Sequence, residues 1–228
     1  GATRGKGEYL SRDLCLQTVP PFSLPPLPIV EAIPALRAAL AGHSCAVLQA
    51  PPGAGKTTVV PLALREEGWL GGRKIVMLEP RRLAARAAAY RMAQLLGEPL
   101  AQSVGYRVRR DTRVGARTQV EVVTEGVLTR MLNSDPTLDG IGLVIFDEFH
   151  ERSLHADLGL ALTRHSQQLV RDDLRILVMS ATLDSEPVAR LLGGAPIVTS
   201  AGRMFPVEAR WLPRRGDQRL EGAMAAAV

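Results

Sequence analysis

Residues 143 to 154 read LVIFDEFHERSL, an apolar run that ends in two adjacent carboxylates, Asp147 and Glu148, followed at once by an aromatic ring and His150. An aliphatic stretch of this kind, bounded by charge, predicts a strand buried on both faces of a parallel sheet. The residues after such a strand emerge at the carboxyl edge of the sheet, and open α/β sheets bind their ligands at that edge. The stretch thus predicts the fold class and sets Asp147 and Glu148 where a ligand would lie.

Outward from this strand the pattern is regular. The sequence predicts a helix over 29–40 with Pro34 as a kink or early-turn residue, a strand over 45–50 and a helix over 55–67. A strand over 74–80 and a helix over 81–96, ended by Gly97, come next. SVGYRVR and TQVEVVT read as short strands, 125–133 as a helix, about 155–170 as a helix, 175–180 as a strand and 184–192 as a short helix before Gly193 and Gly194. Strands alternating with helices mean βαβ units, so the expected class is α/β, a mostly parallel sheet with helices on both faces.

The ends differ from this middle. Residues 1 to 19 lack an initiator Met and any clear period, and part of them reads as appended sequence, so they carry no fold argument. PPFSLPPLP, residues 20 to 28, has five prolines and predicts an extended arm. The expected organisation is an arm over 1–28, a main domain over 29–212, and a linker over 213–228 entering a helix of a further domain. RMFPVEARWLP, from residue 203, reads as a final strand.

The 228 residues are enough for one large domain with an ample core. No run of eighteen apolar residues occurs and no apolar signal region opens the chain, which predicts a soluble, cytoplasmic protein without a membrane partner. Cys15 and Cys45 stand far apart with no CxxC spacing; a tail thiol and a core thiol are expected, with no disulfide and no structural metal. The formal charge is +5, built from 25 Arg against Lys6, Lys56 and Lys74. A pI near 9.8 is compatible with a nucleic-acid footprint, although arginines on an α/β surface are commonly just solvated.

Against that Arg bias, a Lys inside APPGAGKTT, residues 50 to 58, stands out. The strict phosphate-loop pattern GxxxxGK(S/T) has Gly where Ala50 stands here, while Gly55, Lys56 and Thr57 match. The mechanism survives the departure. Gly53 and Gly55 permit backbone conformations that turn successive N–H groups toward phosphate oxygens at the start of the next helix. Pro52, Gly53, Ala54, Gly55, Lys56, Thr57 and Thr58 are therefore the expected triphosphate contacts, with Lys56 as a compact charge on the β and γ phosphates and the Thr57 hydroxyl on Mg²⁺.

Beside a phosphate loop, a carboxylate ending another parallel strand holds the metal, usually through water, and Asp147 suits that role. Glu148 suits the orientation and deprotonation of the attacking water. SAT at 180–182 comes after another apolar strand, and its Ser180 and Thr182 hydroxyls are expected to reach His150 or a neighbouring loop.

In order and spacing, APPGAGKTT, EPRRLAARAAA, TEGVLTRML, DEFHERSL and MSAT resemble motifs I, Ia, Ib, II and III of the DEAH-box (DExH) helicases of superfamily 2. VGYRVR at 104–109 and GRMFPVE resemble the bacterial HrpB type of that family. The resemblance covers roughly 29–212 and implies a RecA-like P-loop lobe, the first of two, with ATP and Mg²⁺ as cofactors and RNA as partner. It implies roles for Lys56, Asp147, Glu148 and His150 in catalysis, and for His150, Ser180, Ala181 and Thr182 in coupling the nucleotide to movement. It also implies RNA-backbone contacts at Arg81, Arg82, Thr124, Glu125 and Gly126. Phe149 departs from the Ala of the family spelling; it leaves the carboxylates and His150 intact and bears on local packing.

The family's second lobe carries an arginine-rich QRxGRxGR motif, and no such run occurs among the 228 residues. Hydrolysis and unwinding are therefore expected to need a second RecA-like lobe of the same protein. The rival is a nucleotide-gated interaction module that hydrolyses without displacing strands. A small-molecule P-loop kinase has no need of DExH followed by SAT.

Overall fold

The structure is a computed structural model that describes residues 24–181 and 185–201. Thr182, most of the arm, the strand expected from residue 203 and the linker lie outside the described residues.

Each apolar run forms a strand and each amphipathic run the helix that covers it. β1 (Cys45–Gln49) leads through the glycine-rich turn into α2 (Lys56–Leu64), which comes after α1 (Ile33–Gly42). β2 (Lys74–Leu78) feeds α3 (Arg82–Leu95), and β3 (Val104–Val108) turns back into β4 (Asp111–Arg113). β5 (Val120–Val123) feeds α4 (Glu125–Ser134), β6 (Ile141–Phe146) feeds α5 (Leu154–Leu169), and β7 (Arg175–Ser180), α6 (Glu186–Leu191) and β8 (Ile197–Thr199) complete the described chain. Pro34 sits in the first turn of α1, where its missing N–H is harmless, rather than at a kink.

The eight strands form one sheet in the order β4-β3-β5-β2-β6-β7-β1-β8, parallel except for β4 against β3. Every residue of β6 is buried, as its unbroken apolar spelling requires. Alternate side chains of the central strands feed two cores. Ile75, Met77 and Ile145 meet α1, α2 and α3 on one face; Val76, Val144 and Phe146 meet α4, α5 and α6 on the other. Fully burying an aliphatic or Phe side chain contributes roughly 1.5–3 kcal/mol, so this doubly covered sheet is the rigid frame of the molecule.

β4 and β8 escaped the sequence reading. β4 is three polar residues, held by Asp111, whose Oδ2 accepts from Tyr106 Oη at 2.9 Å and from Arg86 Nη2 at 2.5 Å. β8 is too short to show a period and exists because β1 offers it an edge, with Val47 opposite Ile197. Cys45 is a free, buried thiol, as expected for the core cysteine. No helix among the described residues is long and apolar enough to cross a membrane, and no group of three His, Cys, Asp or Glu side chains there could hold a metal ion.

Candidate functional site

The carboxyl ends of β2, β6, β7 and β1 lie in that order along the sheet, with β1 tied to β7 by a main-chain bond from Ala50 N–H to the Ser180 carbonyl (3.0 Å) and β6 tied to β2 by one from Asp147 N–H to the Leu78 carbonyl (3.0 Å). The residues that leave each strand therefore gather at one edge. After β1 the chain turns through Gly53 (φ 76°) and Gly55 (φ 94°), left-handed conformations that glycine adopts without strain, and α2 begins at Lys56.

The loop and the acidic pair, ninety positions apart, meet in this turn. Lys56 is 4% exposed and its Nζ lies 2.8 Å from Glu148 Oε1. The Thr57 hydroxyl donates to Asp147 Oδ2 at 2.5 Å, and Glu148 N–H donates to Asp147 Oδ1 at 2.8 Å. Glu148 stands in the left-handed region at φ 50° and Arg152 at φ 46°, with a single 3-10 turn, Phe149–Glu151, between them. That reversal aims Glu148 at Lys56 and sends the Phe149 ring into the core, edge-on to Phe146 with centroids 6.3 Å apart. Phe149 is thus a packing residue.

His150 joins this centre to the end of β7. Its Nδ1 accepts from the Ala181 N–H at 3.1 Å, so the proton of the neutral ring is on Nε2, 3.3 Å from Glu148 Oε2. The link runs through a main-chain donor, which no residue-type reading could have singled out.

The residues expected at a polynucleotide divide. Arg81 and Arg82 are exposed at the start of α3; Arg81 pairs with Glu151 at 2.8 Å, and Arg82 donates to the Arg109 carbonyl at 3.0 Å. Thr124 is buried before α4, Gly126 is exposed, and Glu125 accepts a hydrogen bond from the Ser153 hydroxyl, which also caps α5. Arg86, inside α3 and five residues beyond Arg81, is committed to Asp111 and lies over the Tyr106 ring, so it is part of the frame. Between α4 and the β3–β4 hairpin runs a cleft of about 700 Å³ lined by Arg107, Arg109, Arg110 and Arg130.

Two residues escaped the sequence reading. Glu79 succeeds β2 as Asp147 succeeds β6, and the rule that singles out Asp147 applies to it equally. It is 2% exposed and, with Thr57, Thr58, Arg81, Arg91 and Glu148, lines a cleft of about 360 Å³. Arg91 lies well along α3 from Arg81, and only the cleft reveals it.

Burial, with the Asp147 and Glu148 charges next, pushes the Glu79 carboxyl up to about 8; Arg81 partly opposes it. Burial likewise pushes Asp147 up to about 6, against the Thr57 hydrogen bond and the Lys56 charge. The Asp147 and Glu148 charges thus act on Glu79, and Lys56 is bonded to Glu148. The paired hard oxygens of Thr57 and Asp147 suit a divalent cation that keeps most of its water shell.

Both groups have folded pKa values above their unfolded ones, so the stability they contribute is full at low pH. It is lost as pH rises from about 4 to 6 through Asp147 and from about 4.5 to 8 through Glu79. In a pH series of thermal scans, Glu79→Gln should gain on the parent chain as pH rises, exceeding its midpoint by about 3 °C or more at pH 8.5. A gap independent of pH would show that the Glu79 carboxyl does not titrate in this window.

A glycine turn at one strand tip, its lysine bonded to a carboxylate from a second, and a parallel sheet beneath define the P-loop class of nucleotide-binding domains. The DEAD/DEAH box helicase family model matches residues 31–191, and the chain belongs to that family. It is 54% identical over 202 residues to the ATP-dependent RNA helicase HrpB of Escherichia coli strain K12, covering 89% of this chain and 25% of the relative. It is 34% identical over 203 residues to the ATP-dependent RNA helicase HrpA homolog of Haemophilus influenzae, covering 88% of this chain and 16% of the relative. The crystal structure of the Escherichia coli DEAH/RHA helicase HrpB superimposes with a TM-score of 0.80 at 53% identity, covering 88% of this chain and 26% of that one. The sheet is the RecA-like helicase fold, and the chain spans about a quarter of the HrpB it matches.

Proposed function

We propose that residues 29–212 are the first RecA-like lobe of an ATP-dependent RNA helicase, that 213–228 lead into a second lobe, and that the site at the tips of β1 and β6 binds Mg²⁺-ATP. The observation that carries this reading is the meeting of Lys56 with Glu148 and of Thr57 with Asp147 across 92 and 90 positions.

In this reading the main-chain N–H groups of residues 53–58 cradle the phosphates beside Pro52, and Lys56 exchanges Glu148 for a phosphate oxygen. Thr57 and Asp147 would hold Mg²⁺, which when bound draws negative charge from the phosphates. Glu148 orients the attacking water and takes its proton; His150, donating from Nε2, keeps that carboxylate aimed. Because His150 also accepts from Ala181, a change at Glu148 is felt at the end of β7, where Ser180, Ala181 and Thr182 would pass it on. The cleft along α3 to Arg91 accommodates the rest of the nucleotide. RNA phosphates lie along the same edge, over Arg81, Arg82 and Thr124 to Gly126, beside the arginine-lined cleft. Backbone contacts of this kind make binding tolerant of sequence and sensitive to salt.

A second lobe would supply arginine to charge developing on the γ-phosphate, an effect of about 10³ to 10⁵ in rate where an arginine is delivered this way. The test compares ATP hydrolysis and RNA strand displacement by this chain and by a two-lobe protein, with and without single-stranded RNA. RNA-stimulated turnover and displacement are expected of the two-lobe protein and little turnover of this chain. Comparable RNA-stimulated turnover by both would overturn the need for a second lobe, and hydrolysis without displacement would favour a nucleotide-gated interaction module.

A further inference from the structure

Residues 24–30 take no part in the chemistry above, yet they lie against the phosphate loop. Ile29 is fully buried, and its N–H donates to the Ala54 carbonyl, in the middle of the loop, at 3.2 Å. Leu27 closes on the next residue. A Cβ built on Gly55 would stand 2.6 Å from Leu27 Cδ1 and 3.4 Å from Ile29 Cγ2. Gly55 is therefore required twice, by its φ of 94° and by the Leu27 side chain that fills the space beside it.

The same segment is anchored on its other side. The Pro28 carbonyl accepts from the buried Ser200 hydroxyl at 3.4 Å, and Ser200 N–H donates to the carbonyl of Gln49, the last residue of β1, at 2.8 Å. Pro28 fixes its own φ and offers no N–H, so the turn into Ile29 has few alternatives. A loop that must aim successive N–H groups at phosphate oxygens through two glycines has little stiffness of its own. Its shape has to be held from outside.

We propose that Leu27 and Ile29 are positioning residues of the phosphate loop: they hold Ala54 and Gly55 in the conformation that presents the loop's N–H groups, and Ser200 ties this brace to the end of β8. The proposal rests on the reading that residues 52–58 hold a triphosphate. Pre-ordered donors bind phosphate better than donors that must be ordered on binding, so loss of the brace appears in affinity beyond its effect on stability.

The experiment measures Kd for Mg²⁺-ATP and for Mg²⁺-pyrophosphate, together with the thermal midpoint, in the 228-residue chain. The variants are Leu27→Ala, Leu27→Val, Leu27→Met and, as a control from the same segment packed on the same core, Leu24→Ala. Leu27→Ala should weaken both ligands about tenfold or more, Leu27→Val less, and Leu27→Met hardly at all. Leu24→Ala should lower the midpoint while leaving Kd unchanged. Unchanged affinity in Leu27→Ala and Leu27→Val, or an equal affinity loss in Leu24→Ala, would overturn the brace. A parent chain that bound neither ligand would instead sink the nucleotide reading, and the brace would then be judged on stability alone. Gly55→Ala should destabilise less in the Leu27→Ala background than in the parent, and equal costs would overturn the contact.

Discussion

Changing Lys56 to Ala should raise the Kd for Mg²⁺-ATP at least about 100-fold, as read by equilibrium titration of the chain. Lys56 is 4% exposed and bonded to Glu148, whose main-chain N–H is held by Asp147 and whose side chain lines the same cleft as Glu79. In the proposed complex the Lys56 ammonium is the buried partner of a phosphate oxygen, and truncating one side of a buried, hydrogen-bonded charge pair costs binding roughly 2–5 kcal/mol, each 1.4 kcal/mol being a factor of ten. Without the ammonium, phosphate oxygens would meet the Asp147 and Glu148 carboxyls with no lysine beside them. Lys56→Arg should not restore binding, since a planar fork needs more room than the compact ammonium shut in beside Glu148. Affinity within a few-fold of the parent in Lys56→Ala would show that this pocket does not take a triphosphate.

The second large effect separates binding from chemistry. Glu148→Gln keeps the shape of the side chain and an acceptor for His150 Nε2, but cannot take a proton from water. Hydrolysis by a two-lobe protein carrying Glu148→Gln should fall about 10²- to 10⁴-fold, the range in which a positioned general base works. Binding should move the other way. Glu148 Oε1 engages Lys56 at 2.8 Å, and a neutral amide releases that ammonium for phosphate, so Kd for Mg²⁺-ATP in this chain should stay level or fall. Turnover within about threefold of the parent, or an affinity loss matching the loss of rate, would end the assignment of Glu148 as the base.

Several parts of the site are legible in the sequence. A fully apolar strand ending in charge marks Asp147, and Gly53 and Gly55 before a Lys, in a chain that uses Arg almost everywhere else, mark the loop. Glu79 obeys the same rule as Asp147, but LEP also reads as a strand end before a proline turn, which hides it. The roles of Arg81 and Arg86 are not separable by pattern. Both lie on one helical run, yet one is exposed beside Glu151 and the other is locked onto Asp111 under β4. Leu27 inside a proline-rich stretch reads as part of an arm, because composition reports chain stiffness and not what the chain lies against.

Local pattern alone determined that this protein is a parallel α/β domain with a phosphate loop and a catalytic-looking carboxylate pair, because buried strands, helix faces and glycine turns are dictated by neighbours within a few residues. Tertiary structure decided the rest: that Thr57 touches Asp147, that His150 reads the main chain of Ala181, that Glu79 keeps its proton near neutrality, and that Leu27 closes on Gly55. Each of these depends on which strand tips the sheet order sets side by side and on how little water is left between them. Charges and contacts act through space, and their strength depends on burial, which no stretch of sequence carries by itself.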